Sequence, residues 1–152
     1  MDSLPQNTTV YATLMLLAGM GIPTMAALNA GLGSRLQSPS LAASILFLVA
    51  MFMALTYMVI VEGLPKTIIA RDAPFYFYLG GFFVVFYILT ITWVAPRYGI
   101  GNAVSFVLLG QLISMTAIDH FGLLGSPQSS LTLQRAVGLL VMALGVFLVV
   151  RK

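Results

Sequence analysis

The 152-residue sequence contains no cysteine. That excludes a disulfide framework, a thiolate nucleophile and a thiolate metal site, and says nothing about redox compartment. Histidine is nearly as scarce, and a single His120 cannot build a histidine metal cluster. There are four acidic residues, Asp2, Glu62, Asp72 and Asp119, none of them central in a hydrophobic run. With no acid pair, no Ser–His arrangement at workable spacing and no metal cluster, the constellations that carry catalysis are missing. The expectation is a protein that is not an enzyme and holds no cofactor or metal. Charge of either sign is thin: 7% of residues are charged, against about 25% in ordinary soluble domains. So few charges cannot cover a water-facing surface. The net charge of +3 comes from scattered residues, with no basic stripe, so nucleic acid is not an expected partner.

What is abundant is apolar sequence, at 60% of the chain. A bilayer-crossing helix needs roughly 20 mostly apolar residues, and the gaps between charges supply five. The expected spans are 10–33, 40–61, 74–94, 100–118 and 131–150, giving an all-α membrane protein of one transmembrane domain. Pro39 and Ser40 start the second span, and Glu62, Gly63 and Pro65 close it. Pro96 and Arg97 end the third; Asp119 and His120 end the fourth. The fifth is irregular, because Arg135 lies one turn inside it. Snorkelling to the headgroups would rescue that span, and so would packing of a tilted helix. MDSLPQNTTV lacks the basic n-region of a secretory signal, and the run after it is too long for an h-region, so the first segment reads as a retained span. Tyr11, Tyr57, Phe75, Tyr76, Tyr78, Trp93 and Tyr98 lie near span ends, where aromatic rings anchor at the interface.

Within the spans, the few polar and helix-breaking residues carry the functional expectations. In the first, Gly19, Gly21 and Pro23 form a flexible stretch, since Pro23 removes a backbone donor and crowds the Gly19 carbonyl. A kink or loosened turn is expected there. Asn29 is the only strongly polar side chain deep in this span. It either binds substrate beside the hinge or hydrogen-bonds a neighbouring helix. In the third, Gly81 and Thr92 share one face, and Tyr87 and Thr90 another. In the fourth, Ala103, Gly110, Gln111 and Ser114 fall on one broad face at 100° per residue. Gln111 either lines a cavity or hydrogen-bonds another helix, and the small Gly110 and Ser114 beside it favour the cavity. Asp119 and His120 suit a proton relay, because histidine titrates near neutrality, or a solvated helix end. In the fifth, Gly138 and Gly145 share a face as a helix-packing seam.

An odd number of spans puts the termini on opposite sides. Lys66, Arg71 and Arg135 then face Arg35, Arg97, Arg151 and Lys152. Lys/Arg bias sets orientation, and here it is almost nil. Either the chain inserts both ways and pairs with an inverted copy, or a partner resolves the choice. Inverted repeats build alternating-access transporters, so ten helices around a cavity are one expected working form. A small-molecule transporter acting as a dimer is the leading functional expectation. The alternative is an accessory or structural protein that binds a larger membrane complex.

Several stretches together resemble the YdcZ-like subfamily of the drug/metabolite transporter superfamily. They are the Gly21, Pro23, Asn29, Leu32 and Gly33 pattern, SPSLAASILF at 38–47, Gly80-Gly81, Gly110-Gln111, DHFGLLG at 119–125 and Arg135 to Gly138. The resemblance covers nearly the whole chain. It implies a five-helix half-transporter of the bacterial inner (cytoplasmic) membrane, working with a second copy or a paired homologue on a small-molecule substrate it does not name. GLLVMALGV also resembles the last, dimerising helix of small multidrug resistance proteins. Those proteins carry a membrane-embedded Glu in their first helix. Here that helix has Asn29 and no acid, which argues against proton-coupled export of cationic drugs.

Overall fold

The computed structural model describes residues 8–65 and 73–150. Five helices follow one another: α1 (Thr8–Leu36), α2 (Pro39–Tyr57), α3 (Gly80–Tyr98), α4 (Ile100–Phe121) and α5 (Leu133–Val150). A π turn, Met58–Glu62, extends α2, and a 3-10 turn, Phe75–Leu79, leads into α3. Among the described residues, five helical stretches, α2 and α3 counted with these turns, are long and apolar enough to cross a membrane. Asp2, Lys66, Arg71, Asp72, Arg151 and Lys152 lie outside the described residues, so most of the loop-charge comparison does too.

The helix ends follow local chemistry. Ser38 caps α2, its hydroxyl accepting from the Leu41 N–H at 3.2 Å, and Pro39 fills the first helical position, where no N–H is needed. Gly99 alone separates α3 from α4, with φ +89, a conformation L side chains rarely adopt. Three helices end three or four residues beyond their expected spans. α1 runs past Gly33 and Arg35 to Leu36. α3 passes through Pro96 to Tyr98, because a proline in the last turn removes one bond without preventing closure. α4 reaches Phe121 and stops at Gly122, which takes the left-handed cap conformation. At Pro23, α1 remains a continuous helix.

The packing inverts that of a soluble bundle. Among the described residues, six of the eight buried apolar ones are alanines, Ala26, Ala30, Ala42, Ala43, Ala95 and Ala103, while Phe52, Phe82, Leu140 and Leu148 point outward. Lipid solvates those large side chains as well as a core would. Helices therefore associate through close van der Waals approach over small residues. α1, α2 and α3 pack on one another, and α4 joins them through Ala103. α5 lies on α4, turning Ala136, Leu139, Ala143, Val146 and Val150 inward. The buried residues gather at the end carrying Arg35 and Arg97. Toward the other end the bundle opens: from Thr9 to Ile22 every residue of α1 is exposed, and so is every residue from Phe75 to Phe86 before and within α3.

Candidate functional site

At the closed end, α1 and α3 are joined by a buried polar clasp. Asn29 Nδ2 donates to Thr92 Oγ1 at 2.5 Å, and the Thr92 hydroxyl donates onward to the Ile88 carbonyl at 2.6 Å. Asn29 and Thr92 are 4% and 1% exposed, so neither meets lipid or water. The structure thus gives Asn29 a hydrogen-bond partner on a neighbouring helix. Beside the clasp, Gly33 is buried against Thr92, Pro39 and Ala42. Interhelical hydrogen bonds in membranes average about 0.6 kcal/mol and reach about 1.7. We expect Asn29→Ala to destabilise the bundle by about 1–2 kcal/mol once the lost packing is added. A double-mutant cycle with Thr92→Val, read by denaturant unfolding in mixed micelles, should return a coupling of about 1 kcal/mol. Additive losses would remove the clasp from the account.

The α4 face behaves differently along its length. Ala103 is buried against α1 and α3, whereas Gly110, Gln111 and Ser114, on the same broad face two to three turns on, are exposed. Gln111 stands mid-helix, at the depth where the bilayer is driest. Asn29 and Gln111 therefore sit in different surroundings, one clamped within the closed end and the other on the open face. Tyr87 and Thr90 line one groove of about 340 Å³ between α3 and α4, with Ile91, Ala103 and Phe106. The Tyr87 hydroxyl is buried without a hydrogen-bond partner among the described residues.

At the opposite end, Asp119 and His120 are tied into the loop joining α4 to α5. Asp119 Oδ1 accepts from Ser126 Oγ at 3.0 Å, its other oxygen lies 3.8 Å from Arg135, and its carbonyl accepts from the Ser129 N–H at 2.8 Å. His120 Nδ1 accepts from the Leu131 N–H at 3.1 Å, and its carbonyl from Gln128 Nε2 at 3.2 Å. These bonds shape a turn and orient the start of α5, and Arg135, in the first turn of α5, is placed beside Asp119. Gly138 borders a groove of about 280 Å³ between α4 and α5, with Leu112, Asp119 and Arg135. Neither Gly138 nor Gly145 has a neighbour within 4 Å of a built Cβ, nor do Gly19 and Gly21. Among the described residues no three His, Asp or Glu side chains gather as a metal site would need.

The DHFGLLG turn, the Gly33 contact and the five-helix order lie within one matched stretch. A family model described as "Putative inner membrane exporter, YdcZ" matches residues 10–148. The chain belongs to the YdcZ family. No curated protein and no solved structure matches it. Membership makes it a multi-pass inner-membrane protein of an exporter family, and points away from an enzyme. Sequence reasoning missed Thr92 as the partner of Asn29 and Tyr87 as an orphan. Nothing local pairs two residues 63 apart. The signal for Thr92 was its shared face with Gly81, a polar side chain on an otherwise close-packing stripe.

Proposed function

We propose that this YdcZ-family chain is half of a secondary carrier. Two copies, in antiparallel arrangement, export a small uncharged metabolite or amphipathic compound along a path lined by Gln111 and Ser114. Gln111 carries the reading. An amide facing hydrocarbon with no partner loses several hydrogen bonds, at a cost of roughly 1–3 kcal/mol by protein mutational data. A second copy, or the water of a path between copies, would satisfy it. The neighbouring Gly110 and Ser114 leave room for either. The exposed Gly138 and Gly145 face offers a surface for close helix approach between copies. The preference for uncharged cargo follows from the carboxylates: among the described residues Glu62 and Asp119 both stand at helix ends, so no acid within a span awaits a cation or a coupling proton.

The test is reconstitution of the purified chain alone into liposomes, with efflux followed across a panel of neutral and charged metabolites, with and without a proton gradient. We expect saturable movement of neutral amphipathic solutes, little changed when the gradient is collapsed, from a preparation that is dimeric in detergent. Failure to move any solute, together with co-purification of a larger membrane complex, would favour an accessory role.

A further inference from the structure

We propose that the open end of the bundle closes in a second state of the same chain. In it, the outer half of α1 swings about Pro23 onto α3, and the Tyr87 hydroxyl takes up the Gly19 carbonyl. The proposal rests on the carrier reading in one respect: such a closure would be the second gate of the transport path.

The first observation is a packing seam that stops partway. On α1, Gly19, Ala26 and Gly33 are seven residues apart; on α3, Gly81, Ile88 and Ala95 are too. Seven residues are two turns, so each triplet lies along one face, about 10 Å between layers. The two layers nearest Arg35 and Arg97 are buried: Ala26 at 0%, Ile88 at 2%, Ala95 at 6%, and Gly33 against Thr92. The outermost layer is open, and a Cβ built on Gly19 or Gly81 meets nothing within 4 Å. α2 and α4 repeat the pattern, with buried Ala43 and Ala103 followed two turns on by exposed Ala50 and Gly110. Four helices therefore carry their smallest inward residues past the level at which their packing ends.

The second observation locates the hinge. α1 changes character at Pro23: every residue from Thr9 to Ile22 is exposed, and the buried stripe begins at Ala26. Proline has no N–H, so the Gly19 carbonyl lacks its i+4 partner within the helix. Bending there breaks no hydrogen bond between those two residues.

The third observation is independent of both. The Tyr87 hydroxyl is buried without a partner among the described residues, although buried polar groups are nearly always bonded. α1 and α3 run in the same direction, because α2 returns between them. Thr92 touches Asn29 and Gly33, so it is level with the α1 turn between them. Counting outward along both helices from there puts Tyr87 level with Ala26. Tyr87 packs against the cluster that holds Ala26 and Ala30, and because helical side chains lean toward the N-terminus, its hydroxyl rises to the level of the turn from Gly19 to Pro23. A carbonyl without its i+4 donor and a hydroxyl without an acceptor thus lie at one level, on two helices that pack side by side below it.

The sign follows. Tyr87→Phe removes an unmet group from the open state and a hydrogen bond from the closed one, so it favours the open state. The test places Gly19→Cys and Gly81→Cys in this cysteine-free chain, in membranes, and follows oxidative crosslinking by mass spectrometry of the single-chain band. A disulfide needs Cα atoms within about 7 Å, and both glycines have space for a side chain in the open state. We expect a disulfide within one chain, formed about fivefold less in the same pair carrying Tyr87→Phe. Disulfides only between chains, none at all, or equal yields with and without Tyr87→Phe would each overturn the closure. Crosslinking needs no substrate, so its failure leaves the carrier reading standing, and failure to find a transported solute leaves the closure standing.

Discussion

Gly33→Leu should leave little folded protein, and Gly33→Ala should already cost about 2 kcal/mol. A Cβ at position 33 would stand 2.8 Å from Thr92 Cγ2 and 3.4 Å from the Pro39 Cα. Pro39 is backbone at the start of α2 and cannot turn aside. Thr92 is held on both sides, accepting from Asn29 and donating to Ile88, so rotating it away breaks the clasp. The methyl must therefore push α1 off α2, α3 or both, in a bundle whose cohesion comes from close approach. Gly31 supplies the comparison. Two residues away on the same helix, it meets nothing within 4 Å. Gly31→Ala should be neutral or gain up to about 1 kcal/mol from helix propensity. The reporter is built in, because Trp93, the single tryptophan, follows Thr92. Its fluorescence in a denaturant titration should show early loss for Gly33→Ala and an unchanged midpoint for Gly31→Ala. Equal behaviour of the two glycines would mean that α1 and α3 are not this close.

The five helices were legible because charge is so rare that its gaps outline the spans. Their ends were less so. Gly122 overrides the expected stop at Asp119, since the left-handed cap satisfies carbonyls that polar side chains alone would leave open. The core was hidden for a different reason. In water the most apolar face marks the inside; in lipid, Phe82 and Leu148 gain nothing by turning inward. What marks the inside here is size, in alanines and glycines repeating every seven residues. Gly138 and Gly145 follow that rule on a face the single chain leaves open, and Gly19, Ala26 and Gly33 follow it on α1, where only the last two are buried.

The polar residues divide in the same way. Asn29 could be read as polar and deep, but its partner 63 residues away depends on how α1 and α3 pack. Asp119 and His120 could be read as a helix end. That Ser126 and Arg135 gather on the carboxylate, and the Leu131 N–H on the imidazole, follows only once the turn after Gly122 is formed. The shared face of Ala103, Gly110, Gln111 and Ser114 came directly from helical periodicity. That one end of this face would be buried and the other exposed could not, because periodicity is blind to where two helices part.

Gln111→Leu should lower transport at least tenfold while leaving the single chain as stable as before. The two halves of that expectation come from the same observation. Gln111 is exposed, so its replacement removes no contact on which α4 depends within the chain. Leucine also suits a helix interior at least as well as glutamine, and in hydrocarbon it relieves an unmet amide. If Gln111 simply faced lipid, the substitution would improve insertion and leave function untouched. If it lines a path between copies, the same change swaps a hydrogen-bonding wall for an apolar one. Each 1.4 kcal/mol lost from solute binding in the path then costs a factor of ten. Gln111→Asn keeps the amide one carbon shorter and should recover part of the rate, whereas Ser114→Ala, one turn along the same face, should cost less than Gln111→Leu. The measurements are initial efflux rates from proteoliposomes at matched protein density, beside Trp93 unfolding curves for each variant. A Gln111→Leu carrier with full activity would place this face against lipid and remove it from the path.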